Sequence, residues 1–411
     1  MLNTDVLDAN DRIFLKKLCG GGYARALALW ENILARVITT PKAELHCHLD
    51  GSMRPETLSH LARSTPDLDW DLCTERFGPS ISGTIAHGVM SEVKRYLEYR
   101  EKRGSLSDYM RVYALPKTVV TTEYGVRKVA FEVCEDNYRE GVRYLEIRFN
   151  PWMLGQTVAP RNYIKSLTTG IHEACEKYPN LEAVLLLSLV KDHDPSLVER
   201  ILDESLAANG DPSVRGLIKG VDSAGNEIGF RPERYAEIFR RARDAGLPVV
   251  CHAGESYESL EDGVALIEEA IAVLSAKRIG HGLAAGINPS TLLGKNDAKG
   301  RPYDQKRLQK ISERQRRLRE RLRVENILVE VCPSSNIHTG TVHSIEEHPM
   351  GVFLEEGVPV AICTDNRWVS HTKLSWEIVR VAKSLDLDIA SVNKIMSSTF
   401  KYKLAELNKK S

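Results

Sequence analysis

Short runs of apolar residues recur along the chain, and the longer segments between them place apolar residues at helical spacing. Such runs, rich in Val, Ile or Leu and bounded by Gly, Pro, Asp or Asn, are typical of buried β-strands. The segment Arg231–Ala245, followed by Gly246 and Pro248, is predicted as one of the intervening helices. Eight runs are predicted as strands: Ala43–His46, Tyr144–Phe149, Ala183–Val190, Gly216–Val221, Pro248–His252, Arg278–Gly280, Ile327–Cys332 and Val358–Cys363.

This alternation of strands and helices predicts an α/β protein with a closed (β/α)8 barrel, the TIM-barrel fold. An open, doubly wound parallel sheet is the alternative that the pattern allows. Residues 1–40 are predicted as a helical N-terminal extension, and residues 41–411 as one barrel domain. About ninety residues separate the first two predicted strands, which is room for extra helices over the C-terminal mouth, where the functional loops of such barrels lie.

The segment Lys299–Arg323 is strongly basic, with eleven Lys or Arg residues against three acidic ones. Its apolar residues keep helical spacing, so it is predicted as one docked helix with a basic, solvated face. The alternative is that this face binds a nucleic acid or an anionic protein. Tyr303 is the single aromatic residue among these charges, whereas sites for single-stranded nucleic acid interleave several, so we expect no nucleic-acid partner.

Composition narrows the classes of protein. Hydrophobic residues make up 42% of the chain and charged residues 27%, which is ordinary globular usage. The 56 Lys and Arg residues balance the 56 Asp and Glu residues, so the protein has no overall basic charge that would attract polyanions. The eight cysteines form no C-x-x-C pair. With no secretory signal and no apolar run long enough for a membrane span, we expect a cytoplasmic protein without a membrane partner.

The residues suited to chemistry lie at the ends of the predicted strands. His46 and His48 are two residues apart in a strand and therefore face the same side. His252 ends the fifth predicted strand, and Asp365 follows the eighth. Because the ends of parallel strands meet at one mouth of a barrel, we expect these side chains to converge. Three imidazole nitrogens and a carboxylate oxygen suit a zinc ion with room for a water molecule.

Two further strand-end residues suit roles beside such a metal. A metal lowers the pKa of its bound water to about 7, and attack by the resulting hydroxide needs a proton donor for the substrate. Glu255 is predicted as this general acid; the alternative is a carboxylate that caps the next helix. His281 is predicted to orient the hydroxide or stabilise developing charge; the alternative is a ligand of a second metal.

The fourth predicted strand bears on the number of metals. Many metal-dependent barrel hydrolases hold two metals bridged by a modified lysine on this strand. Here Lys219 lies in the middle of the strand, and Asp222 takes the terminal position. The sequence therefore favours one metal.

The strand-end motifs resemble those of the adenosine deaminase family, a branch of the amidohydrolase superfamily. The resemblance implies a zinc-containing (β/α)8 barrel that replaces the 6-amino group of a purine with oxygen and releases ammonia. The motifs occur in family order, and they are PKAELHCHLDGS (41–52), DSAGNE (222–227), HAGE (252–255), GHG (280–282), CPSSN (332–336) and TDN (364–366).

Carried over by position, the resemblance also implies roles for single residues. Glu255 would protonate purine N1, while His281 and Asp365 would act on the hydroxide. These three residues are the expected catalytic set. The zinc ligands would be His46, His48, His252 and Asp365.

Three residues are implied to bind the substrate. The Gly225 backbone would donate to purine N3, and Asp50 would contact the ribose 5′-hydroxyl. Asn366 departs from the family, which often has an aspartate here that binds purine N7. An asparagine amide donates to N7 without needing to be protonated, so the change is compatible with a purine.

We therefore expect hydrolysis of adenosine, and also of 2′-deoxyadenosine, to inosine and ammonia by a zinc-bound hydroxide. The Asp50 carboxylate suits a neutral hydroxyl and would repel a 5′-phosphate. The first alternative is deamination of a related 6-aminopurine: adenine, an N6-substituted nucleotide or aminodeoxyfutalosine. A more remote alternative is a non-catalytic barrel that binds RNA or an acidic partner. A cytidine-deaminase mechanism is disfavoured because the chain lacks H-x-E combined with P-C-x-x-C.

Overall fold

The computed structural model describes residues 4–20, 24–65, 67–99, 104–153 and 157–407. Its eight strands pair in chain order and are all parallel. They are β1 (Lys42–His48), β2 (Val142–Phe149), β3 (Glu182–Val190), β4 (Ile218–Ala224), β5 (Val249–Ala253), β6 (Arg278–His281), β7 (Leu328–Val331) and β8 (Val360–Ile362).

The sheet closes on itself just beyond β8. The backbone N–H of Asp365 donates to the His46 carbonyl over 2.7 Å, and the N–H of His48 donates to the Asp365 carbonyl over 2.7 Å. This closure excludes the open, doubly wound sheet, which has two free edges. The predicted (β/α)8 barrel is confirmed.

Helices surround the barrel and fill the long connections. The α-helices are α1 (Ala9–Leu18), α2 (Ala24–Thr39), α3 (Pro55–Ser64), α4 (Asp71–Phe77), α5 (Ile81–His87), α6 (Met90–Leu97), α7 (Leu106–Met110), α8 (Ala114–Val119), α9 (Glu123–Arg139), α10 (Pro160–Lys177), α11 (Pro195–Asn209), α12 (Ala236–Asp244), α13 (Leu260–Ala272), α14 (Gln305–Val324), α15 (Pro333–His338), α16 (Met350–Glu355), α17 (Leu374–Ser384), α18 (Ile389–Thr399) and α19 (Leu404–Leu407). No helix among the described residues is long and apolar enough to cross a membrane.

The connection between β1 and β2 carries α3 to α9, as its length predicts. Residues of α7 and of the short turn after it, including Tyr109, Met110 and Tyr113, line a cavity at the C-terminal mouth. Extra helices over this mouth are thus confirmed.

The predicted N-terminal extension contains α1 and α2 and packs on the barrel through α17. The ring of Phe14 stacks on Trp376 with centroids 4.7 Å apart. The Trp376 indole N–H donates to Asp11 over 2.6 Å, and Lys373 pairs with the same carboxylate. Residues 1–3 and 21–23 of the extension, and 66, 100–103, 154–156 and 408–411 of the predicted barrel domain, lie outside the described residues. The division at residue 40 stays a prediction.

Two predicted helices begin later than expected. Arg231–Ala245 is a 3-10 turn over Pro232–Tyr235 followed by α12. The basic helix begins at Gln305 instead of Lys299, because the Asp304 side chain accepts from the Arg307 N–H and caps it.

The basic helix α14 docks through its apolar face, where Leu308, Ile311, Leu318 and Leu322 are buried. Three of its arginines form ion pairs with glutamates outside the helix. Arg314 pairs with Glu268 at 2.5 Å and Arg319 with Glu356 at 2.7 Å, and Arg307 pairs with Glu261. The barrel therefore neutralises part of this face itself, which weakens the interpretation as an RNA-binding surface.

The barrel interior combines an apolar layer with buried charges. Leu45, Tyr144, Leu186, Val250 and Leu328 belong to one apolar cluster inside the sheet. Fully buried ion pairs link β2, β6 and β7 across the barrel interior, and their members are Glu146, Arg148, Arg278 and Glu330. Buried charges survive only when paired in this way. The upper part of this network touches the site at the mouth.

Candidate active site

The C-terminal mouth gathers the residues predicted to bind a metal. The His48 Nε2 atom lies 3.3 Å from His252 Nε2 and 3.3 Å from Asp365 Oδ1. The His46 Nε2 atom lies 3.4 Å from the same oxygen. One ligand atom each from His46, His252, His281 and Asp365 lies within 4.8 Å of the others. The four predicted ligands thus converge, and His281 joins them.

Carboxylates behind two of the histidines fix which ring nitrogen faces the centre. His46 Nδ1 lies 3.0 Å from Glu330, and His252 Nδ1 lies 3.1 Å from Asp222. Because an ionised carboxylate can only accept, both Nδ1 atoms donate and both Nε2 atoms carry a lone pair. Within the described chain, His46 Nε2 is buried and makes no hydrogen bond. A buried nitrogen lone pair without a hydrogen-bond donor is suited to bind a metal cation, so the residues present suit a divalent metal.

Arg148 joins the two carboxylates. This fully buried guanidinium contacts Glu330 and lies 3.5 Å from Asp222. Burial alone would raise the pKa of Glu330, but the charges of Arg148 and Arg278 outweigh it and hold the pKa well below its usual range. The carboxylate behind His46 is therefore ionised and can accept.

Backbone strain marks two residues at the mouth. Asp365 has a φ of 61° and His281 a φ of 62°. Non-glycine residues adopt this left-handed region at a cost, and such residues cluster at functional sites. The Asp365 conformation also lets its backbone close the barrel, while Ser335 donates to its Oδ2 atom over 2.6 Å. Its Oδ1 atom is left to face the histidines.

Glu255 is buried at the same mouth, with 6% of its surface exposed. Its Oε1 atom lies 3.7 Å from His281 Nε2. Burial, together with the charges of Asp365 and Glu227, raises its pKa well above the usual value. The raised pKa favours the protonated form of Glu255, which is the state a proton donor needs. It does not cap the next helix, because Ser259 occupies that position.

Glu227 holds the turn that carries Glu255. Its carboxylate accepts from the backbone N–H groups of Gly254, Glu255 and Ser256 over 3.0, 2.6 and 2.7 Å. The turn is tight, because Gly254 has a φ of 70° and an added Cβ would lie 2.6 Å from Ile267. The position of Glu255 therefore depends on Glu227.

A cavity of about 1510 Å³ opens above this centre and is lined by all three residues predicted to bind substrate: Asp50, Gly225 and Asn366. Burial raises the pKa of Asp50 to about 7. Gly225 has a φ of 86°, and a Cβ there would lie 2.6 Å from Asp192. Glycine is therefore required where the backbone faces the cavity.

The comparisons with known proteins agree with this architecture. A sequence model of the family described as adenosine deaminase matches residues 41–411. The chain belongs to this family. The adenosine deaminase of Clostridium perfringens (strain SM101 / Type A) is 30% identical over 361 residues, which cover 87% of this chain and 92% of that protein.

Solved structures share the fold at lower identity. The N6-methyl-AMP deaminase from Arabidopsis thaliana has a TM-score of 0.66 and 22% identity, and the match covers 92% of this chain and 96% of that one. An amidohydrolase from Burkholderia ambifaria with bound Zn has a TM-score of 0.66 and 20% identity, over 98% of this chain and 94% of that one.

The surroundings of Asn366 accommodate its side-chain amide. The Tyr113 hydroxyl donates to Asn366 Oδ1. Gly51 leaves the space, since a Cβ there would lie 1.9 Å from that oxygen. Because Oδ1 already accepts, the NH2 group is the part of the amide left for a ligand.

Several residues of this adenosine deaminase family member had no role in the sequence-based prediction. Arg148 and Glu330 carried a usable signal, because a charged residue inside an apolar strand must have a buried partner. Glu227 lay in a family motif, but nothing in the sequence showed which groups it contacts. Asn336 also lay in a family motif without a role assigned to it, and Tyr113 gave no signal.

Proposed function

We propose that this protein hydrolyses adenosine, and also 2′-deoxyadenosine, to inosine and ammonia. One observation carries the proposal: a buried carboxyl group with a raised pKa, Glu255, stands at the same barrel mouth as a cluster of histidines and an aspartate suited to a metal. Hydrolysis at purine C6 needs both an acid for the ring nitrogen and an activated water for the carbon. Membership of the adenosine deaminase family supports this reaction class.

We propose one Zn²⁺ as the cofactor. Three nitrogens and one oxygen are a ligand set that zinc favours in catalytic sites. When bound, zinc would lower the pKa of a water molecule to about 7 and so supply a hydroxide nucleophile at neutral pH. Lys219, the residue nearest a bridging position on β4, is exposed, which supports a single ion. The residues that would hold it are His46, His48, His252 and Asp365.

The protein's own residues perform the proton transfers around C6. Glu255 would donate its proton to N1, which draws electron density from C6 and makes that carbon electrophilic. Asp365 Oδ1 faces the same centre and would accept a hydrogen bond from the attacking oxygen. His281 would stabilise the charge that develops on that oxygen. Asp365 would then take the proton of the attacking oxygen and pass it to the 6-amino group, so that the C6–N bond breaks, ammonia leaves and C6 keeps the oxygen as a carbonyl.

The cavity supplies the contacts that select a purine nucleoside. The Gly225 backbone N–H would donate to N3, and the Asn366 NH2 group to N7. Asp50 would accept from the ribose 5′-hydroxyl, and its ionised form would disfavour a 5′-phosphate. The proposed partner is therefore a small purine nucleoside instead of a nucleotide or a nucleic acid.

We further propose that the protein acts in the cytoplasm. All eight cysteines are free, as is usual in a reducing compartment. Recovery of the native protein with the soluble cytoplasmic marker of fractionated cells would support the proposal. Its recovery in an extracytoplasmic fraction would overturn it.

A substrate panel tests the assignment. Values of kcat/KM would be measured for adenosine, 2′-deoxyadenosine, adenine, AMP, N6-methyl-AMP and aminodeoxyfutalosine with the metal-loaded enzyme. We expect the two nucleosides to exceed the others by at least about 100-fold, because only these nucleosides would offer Asp50 a neutral 5′-hydroxyl. A higher value for AMP or for free adenine would refute the choice of substrate and leave the site intact.

A further inference from the structure

A line of buried hydrogen bonds leads from the start of α16 to the reacting centre. The backbone N–H of Met350 donates to His348 Nδ1 over 3.1 Å. His348 Nε2 lies 3.0 Å from Asn336 Oδ1, and Asn336 Nδ2 lies 2.9 Å from His281 Nδ1. His348, Asn336 and His281 are 3%, 0% and 1% exposed, respectively. No sequence motif led us to assign His348 or Asn336 a role in the reaction.

The direction of every bond in this line follows from its first member. A backbone N–H can only donate, so His348 Nδ1 must accept and its hydrogen must sit on Nε2. His348 then donates to the Asn336 oxygen, which turns the NH2 group of the amide toward His281. His281 Nδ1 accepts from this group, and the hydrogen of the neutral ring is therefore on Nε2.

The neighbouring histidines have the opposite arrangement. His46 and His252 donate from Nδ1 to Glu330 and Asp222, so each keeps an Nε2 lone pair toward the centre. His281 instead presents an Nε2–H group there. Distance alone does not reveal this difference, because the His281 ring lies among the groups close enough to share an ion. The partner of each Nδ1 atom makes the distinction. The carboxylates behind His46 and His252 leave each Nε2 atom able to bind a metal, whereas the amide donor behind His281 leaves its Nε2 atom carrying a hydrogen.

We propose that His348 and Asn336 are positioning residues that lock His281 in its Nε2–H tautomer. In this form His281 donates a hydrogen bond to the oxygen that attacks C6, and its Nε2 atom has no lone pair for a metal. The effect on turnover rests on the proposed function, whereas the tautomer itself does not. Burial lowers the pKa of His348 to about 3, so this ring stays neutral and keeps its direction.

Two substitutions of Asn336 separate this role from ordinary packing. In Asn336→Asp the carboxylate only accepts, so His281 must donate from Nδ1 and turn a lone pair toward the centre. We expect kcat to fall about 100-fold or more, the loss typical when one donor to a developing oxyanion is removed. Asn336→Ala leaves the tautomer free and should lose less. If the residue only fills space, the cavity in Asn336→Ala would cost more than the near-isosteric Asp.

The tautomer can be read directly, without substrate. In metal-free protein labelled with ¹⁵N-histidine, the ring nitrogen shifts report which nitrogen carries the hydrogen, and His281→Asn identifies the His281 signals. We expect Nε2–H in the native protein and Nδ1–H in Asn336→Asp. An Nδ1–H signal in the native protein, or no change in Asn336→Asp, would overturn the proposal. If the tautomer switches as expected but adenosine is not a substrate, only the proposed function fails.

A conservative pair at His348 completes the test. The Gln side chain in His348→Gln has an NH2 group that can donate to Asn336 Oδ1, whereas His348→Leu has no donor. We expect His348→Gln to keep kcat within a few-fold of native and His348→Leu to lose at least about ten-fold, with little change in KM. Equal kcat values for native and His348→Leu would contradict the role of His348.

Discussion

Burial favours the protonated form of Glu255, which its proposed chemistry requires. The pKa of this carboxyl is raised, and activity should fall as pH rises through that pKa. In Glu255→Gln the amide cannot give up a proton to N1. We expect kcat to fall by about 10² to 10⁴-fold with one equivalent of zinc still bound. Turnover near the native rate in Glu255→Gln, measured with its zinc content, would remove Glu255 from the mechanism.

Asn366 is a second case in which one side chain sets a pH dependence. An aspartate in its place must be protonated before it can donate to purine N7, while Tyr113 favours its ionised form. Asn366→Asp should therefore have a lower kcat/KM at neutral pH and recover part of it in acid. The control is 7-deazaadenosine, which lacks N7. If Asn366→Asp and native enzyme still differ with this substrate as they do with adenosine, Asn366 does not contact N7.

Local elements depend on single buried side chains in a similar way. Glu227 holds three backbone N–H groups of the turn after β5. In Glu227→Gln an NH2 group would face one of these donors, so the turn and Glu255 would shift. We expect kcat to fall about 10- to 100-fold with KM nearly unchanged, because a misplaced acid costs orientation. Glu261→Gln, which removes an acid that pairs with Arg307 on the next helix, is the matched control. Equal kinetics for the two variants would show that Glu227 does not position Glu255.

The strands show why elements could be predicted while their bounds could not. All eight apolar runs became strands, because a barrel buries both faces of its sheet. β4 begins two residues later than predicted, since Arg215 and Gly216 adopt left-handed conformations that belong to a turn. It also continues through Asp222 to Ala224, because polar residues are placed at the mouth where the sheet meets the cavity.

The site was predictable to the extent that it lies on strand ends. Parallel strands bring His46, His252 and Asp365 together whatever the helices do. The contact between Tyr113 and Asn366 joins residues 253 positions apart. Because this contact depends on how the turn after α7 folds back over the mouth, no local sequence pattern could reveal it. The hydrogen bonds that lead from His348 through Asn336 to His281 also depend on tertiary packing.

At the scale of the whole molecule, the N-terminal helices behave as part of the packed structure. Phe14 is buried against Trp376, whereas its neighbour Ile13 is 52% exposed. Phe14→Ala should lower the free energy of unfolding by about 3 kcal/mol, the cost of a large cavity in a core. Ile13→Ala should change it by less than about 0.5 kcal/mol. Urea unfolding of both variants measures this, and equal small effects would mean that the extension unfolds separately.

The most direct test of the central claim is the absorbance near the adenine maximum when zinc-loaded protein is mixed with adenosine. Three samples are compared: the loaded protein, the same protein after treatment with a chelator, and the treated protein after zinc is restored. We predict conversion to inosine with release of ammonia in the first and third samples and none in the second. Unchanged adenosine in the presence of protein that holds one zinc ion per chain would contradict the account.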